Sequence, residues 1–250
     1  MIETSEDFFT FDIGNSHPHV GIFKNGALSE TLSWRKFISQ HVDKNTKNSL
    51  KGIASIVGAK PEGLKKIEDQ LIHVPALKEG RFLDMPVNYT ETLGKDRLYQ
   101  AYKIYKMALK NPNRNYALID AGTFITLDLI NSDGLQGGHI LPGVSTFLAS
   151  YRKGQDLPAL DESTVDTTPV GLPSSTQGAI MGGLKLYLSS CLKEFLESQK
   201  IDHCLITGGS SDFILGQFPA KRQYHVEIIP HLIHQSLFEL AFQLDQGEKI

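Results

Sequence analysis

The feature that most constrains this chain is an opening that occurs twice. Residues 8–13 are rich in aromatic and branched side chains and read as a strand that ends in the turn Asp12-Ile13-Gly14-Asn15-Ser16. Residues 116–119 read as a second strand that ends in Asp120-Ala121-Gly122-Thr123. A further apolar run follows each turn, at 20–23 and at 124–130, and each run gives way to polar turn residues, Asn25-Gly26 in one case and 131–134 in the other. A glycine just after a strand lets backbone N–H groups approach an anion, because no side chain stands in the way. An aspartate at the strand end supplies the carboxylate oxygen that hard cations prefer. One such turn alone is better explained as a hairpin stabilised by Asp and Asn. Two of them, one in each half, can face each other across a cleft and enclose a polyphosphate from both sides.

The rest of the chain fits two copies of one α/β plan. In the first half the apolar spacing predicts helices over 32–42 and 61–72 and a strand over 52–57. In the second it predicts a strand over 135–141, a long helix over 176–197, strands at 204–206 and 225–229, and a closing helix over 232–244. Thr207-Gly208-Gly209, directly after a strand, offers another close backbone approach, suited to the nucleoside end of a nucleotide. The polar stretch 111–115 is the natural boundary, giving lobes at 1–114 and 115–250. No G-x-x-x-x-G-K-[ST] segment occurs, so the P-loop is not the phosphate-binding device.

Composition excludes several classes. A net charge of -3 gives no sign of a nucleic-acid or membrane-surface partner. The acidic start MIETSEDFFTF is not a secretory signal, and no apolar run approaches the roughly 20 residues that span a bilayer. Cys191 and Cys204 lack metal-ligand spacing and read as buried free thiols, with a disulfide as the alternative. The expected location is the cytoplasm. His17-Pro18-His19 reads as a turn rather than a metal site, since a third ligand is missing. Lys103, Lys106 and Lys110 read as a solvated helix face, and Trp34 as part of the first core.

The two Asp-x-Gly turns with Thr207-Gly208-Gly209 resemble the superfamily of sugar kinases, acetate kinase, actin and the heat-shock ATPases. Other segments narrow that resemblance. Gly94-Lys95-Asp96-Arg97 followed by Ala101 is similar to the G-x-D-R-x-x-x-x-A segment of type III pantothenate kinases. Gly137-Gly138-His139-Ile140-Leu141-Pro142-Gly143 resembles the G-G-x-I-x-P-G segment of that family, and 175–183 resembles its T-x-x-A-I-x-x-G helix start. The segments lie in family order along nearly the whole chain.

The resemblance implies two ribonuclease H-like lobes with an interlobe nucleotide cleft, and ATP-dependent phosphorylation of pantothenate to 4′-phosphopantothenate, the first step of coenzyme A biosynthesis. It also implies a homodimer. Asp96 would be the general base; a carboxylate is a weak base, so its part is mostly orientation and late proton acceptance. Asp12 would hold Mg²⁺ directly or through water, and Asp120 a monovalent cation, K⁺ or NH₄⁺. ATP would lie against Asp12, Ile13, Gly14, Asn15, Ser16, His17, Pro18, His19, Gly122, Thr123, Thr207, Gly208 and Gly209. Pantothenate would meet Tyr89, Gly94, Lys95, Asp96, Arg97 and Thr176. Read without the family, Asp96 and Thr176 are helix N-caps. The sequence departs from the family at Val87, where a Tyr is usual, at Ser175, where Asn is usual, and at Ser150-Tyr151 in place of Ala-Leu. The Val87 departure keeps open a kinase of the same fold acting on another small alcohol; a non-catalytic regulatory relative that binds ligand is the second alternative.

Overall fold

Two five-stranded sheets carry the fold, and they share one strand plan. The structure, a computed structural model, describes residues 7–14, 17–42, 50–154, 156–161 and 171–247. The first sheet has β1 (Phe8–Ile13) at its centre, flanked on one side by β2 (His19–Lys24) and β3 (Ala27–Ser33) and on the other by β4 (Lys51–Ile56) and β5 (Leu71–Ile72). The second places β8 (Tyr116–Ala121) at the centre, with β9 (Phe124–Asn131) and β10 (Gly134–Pro142) on one side and β11 (His203–Thr207) and β12 (His225–Ile228) on the other. In both, the first three strands form an antiparallel meander and the next two join in parallel. A two-stranded ribbon of β6 (Arg81–Phe82) and β7 (Met85–Pro86) lies between them in the chain.

Packing divides the chain into unit 1, Met1–Lys106 with His231–Ile250, and unit 2, Met107–Pro230. This differs from the division at 114/115, which leaves the final helix in the second half. The reason is visible in the contacts of α6 (Leu232–Gly247), which packs on β1 and β4. Phe238 stacks on Phe23 with ring centroids 4.2 Å apart and meets Phe8 edge-on at 5.5 Å. A polar boundary stretch marks where the chain is exposed; it does not say which sheet the last helix covers.

The opposite face of the first sheet holds an aromatic core. Phe9, Phe11, Trp34 and Phe37 interlock there, with Phe11 and Phe37 centroids 5.2 Å apart. The expected helix over 32–42 is shorter: β3 occupies 27–33, α1 spans Trp34–Phe37, and a wider π-type turn follows over Ile38–Val42. β3 is mostly exposed and polar, so it lacks the apolar run that advertises a strand. The expected helix over 61–72 is instead two 3₁₀ turns, Leu64–Lys66 and Glu68–Gln70, running into β5. Buried Leu64 and Ile67 are three residues apart, a spacing that a 3₁₀ turn repeats as well as an α-helix does.

In unit 2 the long α4 (Thr176–Ser198) follows the sequence closely. Ile180, Leu184, Leu188, Leu192 and Leu196 recur every fourth residue and are buried against Ala117, Ile119, Ile125 and Leu127. Each fully buried leucine of this stripe contributes about 1.5–3 kcal/mol. The shorter α3 (Val144–Ser150) and α5 (Ser211–Leu215) complete the unit. Both cysteines are free thiols; Cys204 is buried and Cys191 half-buried. No helix among the described residues is long and apolar enough to cross a membrane.

Candidate active site

Asp12 is the penultimate residue of β1, directly opposite His19 on β2 and Ser55 on β4. Directly opposed residues share a face of the sheet, so these three side chains lie together. Gly14 follows, and a Cβ built there would meet nothing within 4 Å, so the turn has room on its open side. The Asp12 side chain is 18% exposed, and its Oδ2 lies 3.3 Å from His19 Nε2. Burial, followed by the charges of His231 and His17, holds the His19 pKa below the ordinary imidazole value. Ser55 Oγ is fully buried and makes no hydrogen bond among the described residues. Asn15 and Ser16 lie outside the described residues; His17 is exposed and Pro18 half-buried.

The second turn repeats this register with other residues. Asp120 on β8 faces Thr126 on β9 and Thr207 on β11. Thr126 Oγ1 is buried with no hydrogen-bond partner among the described residues. Backbone contacts hold this turn. Gly143 N donates to Thr123 O at 3.0 Å, Thr146 Oγ1 donates to the same oxygen at 2.6 Å, and Ser210 N donates to Ala121 O at 3.0 Å. A Cβ at Gly143 would lie 2.2 Å from Gly122 O, and one at Gly208 2.6 Å from the Ala121 backbone. Gly208 has φ +95°, a conformation that L side chains rarely adopt. Gly143 and Gly208 are thus required by backbone packing around residues 121–123, while Gly209, with nothing within 4 Å of its added Cβ, faces open space. Thr123 is exposed and Thr207 buried.

The G-x-D-R segment opens α2 (Lys95–Ala108). Gly94 O accepts the first helical bond from Leu98 N, so Asp96 sits inside the first turn rather than at the cap. Its Oδ1 accepts from Arg97 N at 2.8 Å. The Gly94 side-chain position is filled by that carboxylate, 2.5 Å from where a Cβ would stand. Arg97 is only 5% exposed, and its guanidinium lies over the Tyr89 ring, 5.0 Å from the centroid. Tyr89 thus stands beside the G-x-D-R arginine while Val87 is buried in the core. Lys95 is exposed. Lys103 and Lys106 are not simply solvated: they pair with Glu239 and Asp84. Thr176 is the exposed first residue of α4; the cap is Ser175, whose Oγ accepts from Gly178 N at 3.1 Å. A serine in place of asparagine leaves that cap intact.

The structure therefore groups Asp12 with His19, Asp96 with Arg97 and Tyr89, and Asp120 with the turn glycines, Thr123 and Thr207. Sequence reasoning missed Thr10, His234, Ser55 and Thr146. Two of them carried a signal: Thr10 is the one polar residue in the run before Asp12, and His234 interrupts the apolar face of the last helix. Thr10 Oγ1 lies 2.8 Å from His234 Nδ1, and His234 Nε2 lies 2.8 Å from His19 Nδ1. No group of three or more His, Cys, Asp or Glu among the described residues forms a ready-made metal cage.

Against known proteins, the family model for type III pantothenate kinase matches residues 8–197. A type III pantothenate kinase of Campylobacter hominis is 25% identical over 221 residues, covering 87% of this chain and 92% of that protein. One from Helicobacter pylori (strain HPAG1) is 31% identical over 105 residues, and there the match spans 42% of this chain and 45% of that protein. Among solved structures, a putative Baf family transcriptional activator from Campylobacter jejuni superposes with a TM-score of 0.59 at 22% identity, covering 95% of this chain and 99% of that one. The fold is that of the actin-like ATPases.

Proposed function

The chain belongs to the type III pantothenate kinase family, and from that premise we propose that it phosphorylates pantothenate with ATP, forming 4′-phosphopantothenate and ADP at the entry to coenzyme A synthesis. The observation that carries this reading is the family match over residues 8–197, which takes in Asp12, Asp96 and Asp120 together. Reading the protein as a homodimer rests on the family resemblance alone.

Phosphoryl transfer asks a protein mainly to position groups and stabilise charge. The pantothenate hydroxyl oxygen forms a bond to the γ-phosphorus as the bond to the β-γ bridging oxygen breaks, and Asp96 takes the hydroxyl proton. Its place in the first turn of α2, half-buried, suits a carboxylate that orients a hydroxyl and accepts its proton late. Arg97, desolvated and backed by the Tyr89 ring, is suited to bidentate contact with the substrate carboxylate. Within unit 1 the Gly14 backbone N–H is suited to meet phosphate; within unit 2 the Gly122-Thr123 N–H groups are suited to the same, and the open side of Gly209 to the nucleoside.

The residues fit the two cations in different ways. Mg²⁺ takes one or two carboxylates and fills its remaining positions with water and phosphate oxygen. Asp12, partly exposed and outside any group of three or more His, Cys, Asp or Glu among the described residues, matches that need. When bound, the ion neutralises charge on the phosphate oxygens. K⁺ or NH₄⁺ would be held by Asp120, where the unsatisfied buried Thr126 Oγ1 supplies a second oxygen on the same face.

ADP release by the purified protein with ATP and Mg²⁺, with and without pantothenate, tests the reading. Pantothenate-dependent release that falls when K⁺ is exchanged for Na⁺ supports it. Release only with another small alcohol would reassign the acceptor, and release without any alcohol would make the protein a hydrolase. Asp96→Asn should keep MgATP binding and lose about 10²–10⁴-fold in turnover; unchanged turnover would remove Asp96 from its role.

A further inference from the structure

Unit 1 contains a line of polar contacts that extends behind the Asp12 turn. Thr10 is hydrogen-bonded to His234 and His234 to His19, each at 2.8 Å, and His19 Nε2 in turn approaches Asp12 Oδ2 to 3.3 Å. Thr10 and His234 are completely buried. Space for the His234 ring exists because residue 21 is glycine: a Cβ there would lie 2.6 Å from Thr10 Oγ1 and 2.8 Å from His234 Nδ1. A buried imidazole, an opposing glycine and a threonine at matching positions make a built arrangement rather than a chance contact.

Proton counting gives the line a direction. The carboxylate end accepts only, so the proton of His19 belongs on Nε2. Nδ1 of His19 then has a lone pair and must receive from His234 Nε2–H. That leaves His234 Nδ1 as an acceptor, and the Thr10 hydroxyl donates to it at 2.8 Å rather than to Gly21 O at 3.3 Å. Reversing the line would set a ring lone pair against the carboxylate. With both rings neutral and carrying hydrogen on Nε2, every donor and acceptor of the line is used once.

We propose that His234 is a positioning residue that acts through His19 to fix the orientation of the Asp12 carboxylate toward Mg²⁺ and the phosphates of ATP. The last helix thereby reaches the phosphate-binding turn through two rings. The role rests on the Mg²⁺–phosphate duty given above to Asp12. Outer partners of a metal-binding side chain commonly change affinity by about 10–100-fold when removed.

The test uses the intact protein and two readouts. Imidazole ¹⁵N spectra of the ligand-free protein should show both rings neutral with hydrogen on Nε2. In His234→Met, His19 should lose that fixed tautomer, and MgATP binding measured by calorimetry should weaken about tenfold while the KM for pantothenate stays unchanged. His234→Gln, which keeps an N–H near the Nε2 position, should recover most of the loss. Should His234→Met fail to fold, Thr10→Val keeps both rings and should give the same pattern at smaller size. A folded His234→Met or Thr10→Val with parental MgATP affinity would overturn the proposal, as would either ring carrying its hydrogen on Nδ1. A wild-type protein that shows the tautomers but binds no MgATP would instead refute the assigned duty of Asp12.

Discussion

The two Asp-x-Gly turns occupy equivalent places in equivalent sheets, yet they are supported by opposite means. Around Asp12 the work falls to side chains: His19 and Ser55 stand opposite it, and Thr10 and Gly21, one step back on the same face, make room for His234. At the matching places around Asp120 stand Thr126, Thr207, Leu118 and Asp128. There the turn is clasped by backbone, with Gly143 and Gly208 pressed onto residues 121–123. One strand plan therefore yields a carboxylate beside the His19 imidazole and open at Gly14, and another between two threonines with closely packed glycine nearby. Under the proposed function the first would be completed by water and phosphate oxygen, and the second would offer the Asp120 and Thr126 oxygens to a monovalent ion.

Substitutions at the glycines should separate the two most strongly. Gly208→Ala should destabilise the protein by about 3 kcal/mol, because its Cβ meets backbone and its φ is left-handed; a denaturant titration checks this. Acid should reveal the other turn. Burial, with His19 and His231 adding to it, pushes the His234 pKa down to about 3 from its ordinary 6.5. Between those values the unfolded chain binds a proton that the folded one does not. Stability is therefore complete above about pH 6.5 and falls with acid by up to about 1.4 kcal/mol per pH unit. That slope should flatten in His234→Met. The smallest effect on stability is expected at Gly14→Ala, within about 0.5 kcal/mol, since its Cβ meets nothing. There the loss should appear as weaker MgATP binding in calorimetry.

Much of this was legible in the sequence because strand, turn and family segment coincide in short stretches. Both Asp-x-Gly turns, the central strands and α4 carry local signals: β-branched runs, glycine after aspartate, apolar residues at every fourth place. What was not legible depends on partners far along the chain. The place of α6 is decided by Phe238 meeting Phe8 and Phe23, some two hundred residues apart in sequence. His234 reads alone as a polar interruption of an apolar helix face; only the fold brings it to Thr10 and His19. Gly143 looks like a helix-start glycine, and its need becomes visible only when Thr123 lies against it. Edge strand β3 stayed hidden because its exposed side chains leave no apolar pattern to read.

Separate duties for the two turns are tested most directly by the cation dependence of turnover in Asp12→Asn and Asp120→Asn. With ATP and pantothenate, Asp12→Asn should need more Mg²⁺ yet keep the parental preference for K⁺ over Na⁺. Asp120→Asn should lose that preference while its Mg²⁺ requirement stays parental. An Asp120→Asn protein that still distinguishes K⁺ from Na⁺, or an Asp12→Asn protein with an unchanged Mg²⁺ requirement, would contradict the account.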